Sequence, residues 1–235
     1  MKPQRILLCA LLVTLAAAQA TAPAPVEITA EPMHHLVLEN ELVRVFAVEI
    51  PPGQPTKLHR HRHDYIFVAL GAAEISNEVE GRAPVKLRLA AGEVGYTEGG
   101  FAHVARNLGS APFRVLAVEI LPAGKRRAAA QPSPQWERGL EIFDGGTQHT
   151  LLVRGGLRVA DTELQPGGTT PLHTHPGPHL AISLTDVELS SQPAGKPPVV
   201  IRKKAGEFDW VAGESTHTLT NNGKQTARYV SIEFP

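Results

Sequence analysis

The sequence predicts an all-β protein built as two tandem sandwiches or barrels, and three observations carry that prediction. The chain repeats itself at an offset of 114 residues. Its apolar runs are short and rich in β-branched residues, and Gly and Pro interrupt them at roughly ten-residue spacing. One histidine pattern is written twice: His59, His61 and His103 reappear as His173, His175 and His217.

The first twenty residues read as a signal peptide. Lys2 and Arg5 open it, residues 6–18 are apolar and uncharged, and Ala18-Gln19-Ala20 has the small-x-small form of a cleavage site. The run is short for a bilayer span. The expectation is an exported protein, periplasmic or secreted, with no membrane attachment after cleavage. Cys9 is the only cysteine and lies in that run, so the mature chain is expected to lack disulfides and thiolate ligands. Net charge is zero with 23 basic and 23 acidic residues, which gives no electrostatic surface for nucleic acid.

The repeat fixes the organisation. Residues 44–120 align with 158–234 without a gap, and 25 of the 77 positions are identical by direct count. The period is far longer than a solenoid unit, so each copy should be a whole domain. Within the first copy, residues 43–50, 65–70, 73–76, 85–89, 94–97 and 113–120 read as strands, and no segment keeps a helical period. Residues 121–139 break the pattern with Pro122, Gly124, Lys125-Arg126-Arg127, Pro132 and Pro134, as a linker would. The expected boundaries are 1–20 signal peptide, 21–125 first domain, 126–139 linker and 140–235 second domain.

The histidines point to metal chemistry. Residues i and i+2 of a strand share a face, so His59 with His61, and His173 with His175, can aim into the same interior. A third imidazole from a later strand can close one face of a transition metal and leave positions open.

The motifs resemble those of the cupin superfamily, and their duplication resembles a bicupin. The first motif is seen as Gly53, five residues, then His59-Arg60-His61, and again as Gly167 before His173-Thr174-His175. The second is seen as Gly92, Glu98, Gly100, His103 and Asn107, and as Gly206, Ala212, His217 and Asn221, with Glu98 and Ala212 where proline is usual and Gly213 one place early. The resemblance covers nearly the whole chain beyond the leader. It implies two double-stranded β-helix (jelly-roll) barrels, a divalent metal and a small-molecule ligand or substrate.

The chain departs from the family at the glutamate that follows His-x-His. Tyr65 and His179 stand three residues beyond the second histidine, and Ile66 and Leu180 four beyond. The expected metal residues are therefore His59, His61 and His103 in one copy and His173, His175, His179 and His217 in the other. Tyr65 is a weak or indirect partner. Losing the carboxylate favours Fe, Zn, Ni or Cu over Mn or Mg. His34, His35 and His149 lie outside the motifs and read as surface or edge residues, and His63 as a bystander. Tyr96 and Trp210 read as core more readily than as pocket lining, and Arg62 and Arg106 as solvated charge.

Three functional readings follow: a metal-dependent oxidoreductase or isomerase of a small organic acid, sugar or phenol; a non-catalytic binding or sensing module; and a metal-free structural barrel. No catalytic residue is assigned, and a homo-oligomer is compatible with all three.

Overall fold

The computed structural model describes residues 24–130 and 136–234. The expected signal peptide, residues 1–20, lies outside them. Among the described residues no helix is long and apolar enough to cross a membrane.

The first half folds into β1 (Val26–Glu27), β2 (His34–Glu39), β3 (Val43–Ile50), β4 (His59–His61), β5 (Tyr65–Ala69), β6 (Ala73–Val79), β7 (Val85–Leu89), β8 (Val94–Thr97), β9 (Phe101–Asn107) and β10 (Phe113–Ile120). A helix, α1 (Pro122–Ala130), follows. The second half holds β11 (Gly139–Phe143), β12 (Gly146–Arg154), β13 (Leu157–Leu164), β14 (His173–His175), β15 (His179–Ser183), β16 (Val187–Pro193), β17 (Val199–Lys203), β18 (Phe208–Val211), β19 (Ser215–Asn221) and β20 (Ala227–Glu233). The protein is all-β, as the sequence predicts. The helix is the departure, because α1 begins the segment read as linker and buries Ala128 against both halves.

Each half is a pair of facing sheets. The first pairs β1-β4-β9-β6-β7 with β2-β3-β10-β5-β8, and the second pairs β14-β19-β16-β17 with β11-β12-β13-β20-β15-β18. Residues repeated between the copies hold the corners. Asn107 donates its amide to the carbonyls of Ile50 and Ala111, and Asn221 does the same to Leu164 and Gln225. Thr56 and Thr170 accept from the backbone of Ala105 and Leu219. Gly53 and Gly167 turn the chain at φ of 72° and 79°, a region that favours glycine.

Strands β3, β5 and β10 are apolar on both faces, and each face has its own use. Phe46, Val48, Ile50, Val115 and Ala117 fill the first barrel. Val43, Val45, Ile66, Val68, Leu116 and Val118 turn outward and join Val159, Leu180, Ile182, Val230, Ile232 and Phe234 in one cluster. The two barrels thus pack back to back through the sheets that carry β3-β10-β5 and β13-β20-β15. This explains why these strands read as continuous apolar runs rather than alternating ones.

Candidate metal centres

In the first barrel β4 and β9 pair so that His59 stands opposite His103, and in the second His173 stands opposite His217. The pairing brings each distant histidine to its His-x-His partners. His103 lies 4.5 Å, ring centre to ring centre, from His59 and 5.1 Å from His61. His217 lies 4.7 Å from His173 and 5.3 Å from His175.

Hydrogen bonds at Nδ1 set the tautomers. His59 donates to the Lys57 carbonyl at 2.9 Å, and His173 to the Pro171 carbonyl at the same distance. A carbonyl only accepts, so the neutral ring carries its proton at Nδ1 and its lone pair at Nε2. The Asn77 side-chain oxygen takes Nδ1 of His103 at 2.6 Å, and its counterpart Ser191 meets Nδ1 of His217 at 3.0 Å. Nε2 of His103 and of His217 is buried with no partner. A buried nitrogen without a partner is costly unless a cation takes it. This is the fixed-ring arrangement that metal-binding histidines use. The residues present fit a divalent transition metal.

Burial also keeps these rings neutral. It lowers His59 to about 4, helped by the nearby His34 ring, and His61 to about 2. His103 and His217 fall to about 3, and His179 to about 4, for the same reason. Neutral imidazole is the form that ligates.

One residue of the group was missed by the sequence reading. His34 is not at the surface. Its side chain is 6% exposed, and its ring lies 4.6 Å from His59. The donor atoms of His34, His59 and His61 lie within 4.8 Å of one another, as do those of His173, His175 and His217. His34 lies opposite Val48, and the corresponding pair in the second barrel is Gln148 opposite Thr162.

The residues in place of the family glutamate behave alike in both copies. Tyr65 stacks on His61 at 4.3 Å and 21°, and His179 stacks on His175 at 4.0 Å and 18°. Neither the Pro176-Gly177-Pro178 segment nor its turn disturbs β15, which stays paired with β20 from His179 onward. Behind the second barrel's rings, Glu233 accepts from His175 at 3.1 Å and from Arg158 at 3.1 Å. Burial works to raise Glu233, but the bond to His175 and the Arg158 charge prevail and hold it below its ordinary value. The first barrel differs: both oxygens of Glu119 are buried without a partner, and burial pushes that carboxyl up to about 7.

The cavities are small, about 130 Å³ in the first barrel and about 90 Å³ in the second. A cavity of about 150 Å³ admits a molecule of benzene size. Their linings have diverged. Leu89, Val115 and Ala117 of the first correspond to Lys203, Tyr229 and Ser231 of the second.

Of the remaining candidates, Tyr65 lines the first cavity. Tyr96 instead bonds Asp64, which also holds Lys125 at 2.7 Å, while Arg154 lies over the Tyr96 ring. Trp210 packs on Phe234 in the shared core. Arg62 and Arg106 pair with Glu27 and Glu78 at the surface.

No protein-family model matches the chain, and no curated protein does. Solved structures do match. A variant of oxalate decarboxylase from Bacillus subtilis aligns at 15% identity and a TM-score of 0.59, over 83% of this chain and 69% of that one. The formate complex of the Lactobacillus farciminis oxalate decarboxylase aligns at 14% and 0.60, over 83% and 77%. A further Bacillus subtilis structure, at 13% and 0.59 over 83% and 69%, is described as having Mn(II) centres. At such identities the likeness is one of fold.

Proposed function

The chain carries the tandem cupin fold, and on that premise we propose that it is a metal-dependent enzyme acting on a small organic acid. Each barrel holds a divalent transition metal through His59, His61 and His103 or through His173, His175 and His217. The observation that carries this reading is the unpartnered Nε2 of His103 and of His217, each on a ring fixed from its far side. His179 flanks the second set as a stacked ring. Imidazoles without a carboxylate favour Fe, Zn, Ni or Cu, unlike the Mn(II) of the Bacillus subtilis neighbour.

The second barrel is the better substrate site. A divalent metal bound there would supply Lewis acidity to the oxygens of a carboxylate or hydroxyl. Lys203, paired with Asp209 at 2.6 Å, brings a cation to the wall of a cavity with room for only a few heavy atoms. Ser183, Ser231 and Tyr229 add hydroxyls. The first cavity has no Asp, Glu, Lys or Arg among its described lining residues. That favours a second reading for it, a metal-holding barrel without turnover.

Metal analysis of the purified protein tests the proposal. Two equivalents of a first-row metal are expected, with His103→Ala and His217→Ala each removing one site. Turnover of small di- and hydroxycarboxylates should then vanish in His217→Ala. A protein that binds no metal, and whose unfolding ignores added Fe, Zn, Ni, Cu or Mn, overturns the reading.

A further inference from the structure

We propose that the first barrel holds its metal with a fourth imidazole, His34, which the chain segment ahead of the repeat delivers and the Glu31 carboxylate aims. The inference rests on the metal-binding reading above and names a ligand that the His-x-His pattern does not contain.

The segment is anchored at several points. Strand β1 runs parallel to β4, with Val26 beside His59. Ile28 enters the first barrel's core. Glu31, its side chain 1% exposed, then accepts three bonds: from His34 Nδ1 at 2.6 Å, from the Met33 backbone at 2.7 Å and from the Lys57 backbone at 3.1 Å. Lys57 is the residue whose carbonyl fixes His59. One residue therefore sets two rings, through Glu31 for His34 and directly for His59.

The chemistry follows from that geometry. In the neutral ring, a carboxylate behind Nδ1 holds the proton there and leaves Nε2 of His34 as a lone pair. Such a carboxylate also raises the ring's basicity as a ligand. The Nε2 atom belongs to a side chain that lines the first cavity, and the donor atoms of His34, His59 and His61 lie within 4.8 Å of one another. A histidine serving only as packing has no need of a buried carboxylate, least of all one shared with the backbone that orients His59.

The second barrel supplies an internal control. Its matching residue, Gln148, donates to Thr162 at 3.0 Å and accepts from Arg158 at 2.5 Å, so both ends of its amide are taken. The upstream imidazole is thus particular to the first barrel.

The test uses the full chain with the second barrel silenced by His173→Gln and His217→Gln. Titration with Co(II) or Cu(II) should show one site. His34→Gln, which installs the second barrel's residue and keeps an amide donor toward Glu31, should weaken that site at least tenfold. Glu31→Gln should weaken it by about 10–100-fold, as loss of an orienting carboxylate does. Spin-echo spectroscopy of the Cu(II)-loaded protein with His34 intact gives a readout that no folding defect can confuse. Four coupled imidazoles support the proposal, and three overturn it. Wild-type affinity in His34→Gln also overturns it. If the silenced protein binds no metal while the unaltered chain binds one equivalent, this proposal falls and the second site stands. If neither binds, the metal-binding reading itself fails.

Discussion

His175 donates from Nδ1 to the Glu233 carboxylate 3.1 Å away, whereas Nδ1 of its counterpart His61 finds no partner although Glu119 occupies the matching position. The cause is an arginine. Arg158 turns inward to Glu233, while the equivalent Arg44 turns outward to Glu39 at 2.8 Å. Val153 stands where Glu39 would be in the second copy, so Arg158 has no such outer partner. One surface carboxylate thereby decides what backs the histidines of each barrel.

Glu233→Gln should weaken metal binding in the second barrel by about 10–100-fold, because the ring of His175 loses its orienting carboxylate. The same change removes the negative charge facing Arg158, which keeps its bonds to Gln148 and Thr150, and should destabilise the fold by about 1–3 kcal/mol. Metal titration and denaturant unfolding check the two effects separately. Unchanged affinity would remove Glu233 from the site's support.

Glu119→Gln should stabilise the protein, and increasingly so as pH rises. The folded-state carboxyl is raised to about 7 from 4.5. Its stability contribution is complete below the unfolded value and is lost as pH climbs through the folded one. The variant should match the wild type near pH 4 and exceed it by about 3 kcal/mol at pH 8. Unfolding curves of the metal-free proteins at both pH values decide this, and a gap that does not grow with pH would contradict it.

The two barrels should unfold as one unit, since a single apolar cluster includes residues of both. Ile66→Ala, on the interface face of β5 and 0% exposed, should cost about 2–5 kcal/mol and lower the transition of the whole chain. Calorimetry should give one peak. Two separate transitions, with only one shifted by the substitution, would show independent domains.

Export is tested by N-terminal sequencing of protein recovered outside the cytoplasm. The small-x-small site predicts a mature chain beginning at Thr21. A chain that stays inside and keeps Met1 would sink that reading.

Much of the fold was legible. Strands β3, β7, β8 and β10 match the sequence reading residue for residue, because β3 and β10 are apolar runs rich in Val and Ile, β7 alternates apolar and basic residues, and each lies close to a Gly or Pro. The helix α1 was not, since Pro122 and Gly124 disguise it and its order depends on packing Ala128 into the shared cluster. His34 escaped because it lies outside both motifs. A signal was available: carrying the 114-residue register upstream sets His34 against Gln148, the equivalent position on β12. Tyr96 could not be assigned without Asp64 and Arg154, which come from distant parts of the chain.

The sequence by itself determined the duplication, the all-β class and the two histidine triads, because repeat register and strand parity are local properties that survive without coordinates. Only the tertiary structure decided what surrounds those triads. Which way Arg44 and Arg158 turn, whether His34 faces solvent or cavity, and how Tyr65 and His179 stack on their neighbouring rings all depend on contacts between strands far apart in the chain. A one-dimensional pattern names the side chains available to a site, but the pairing of sheets sets which of their polar atoms remain without a partner.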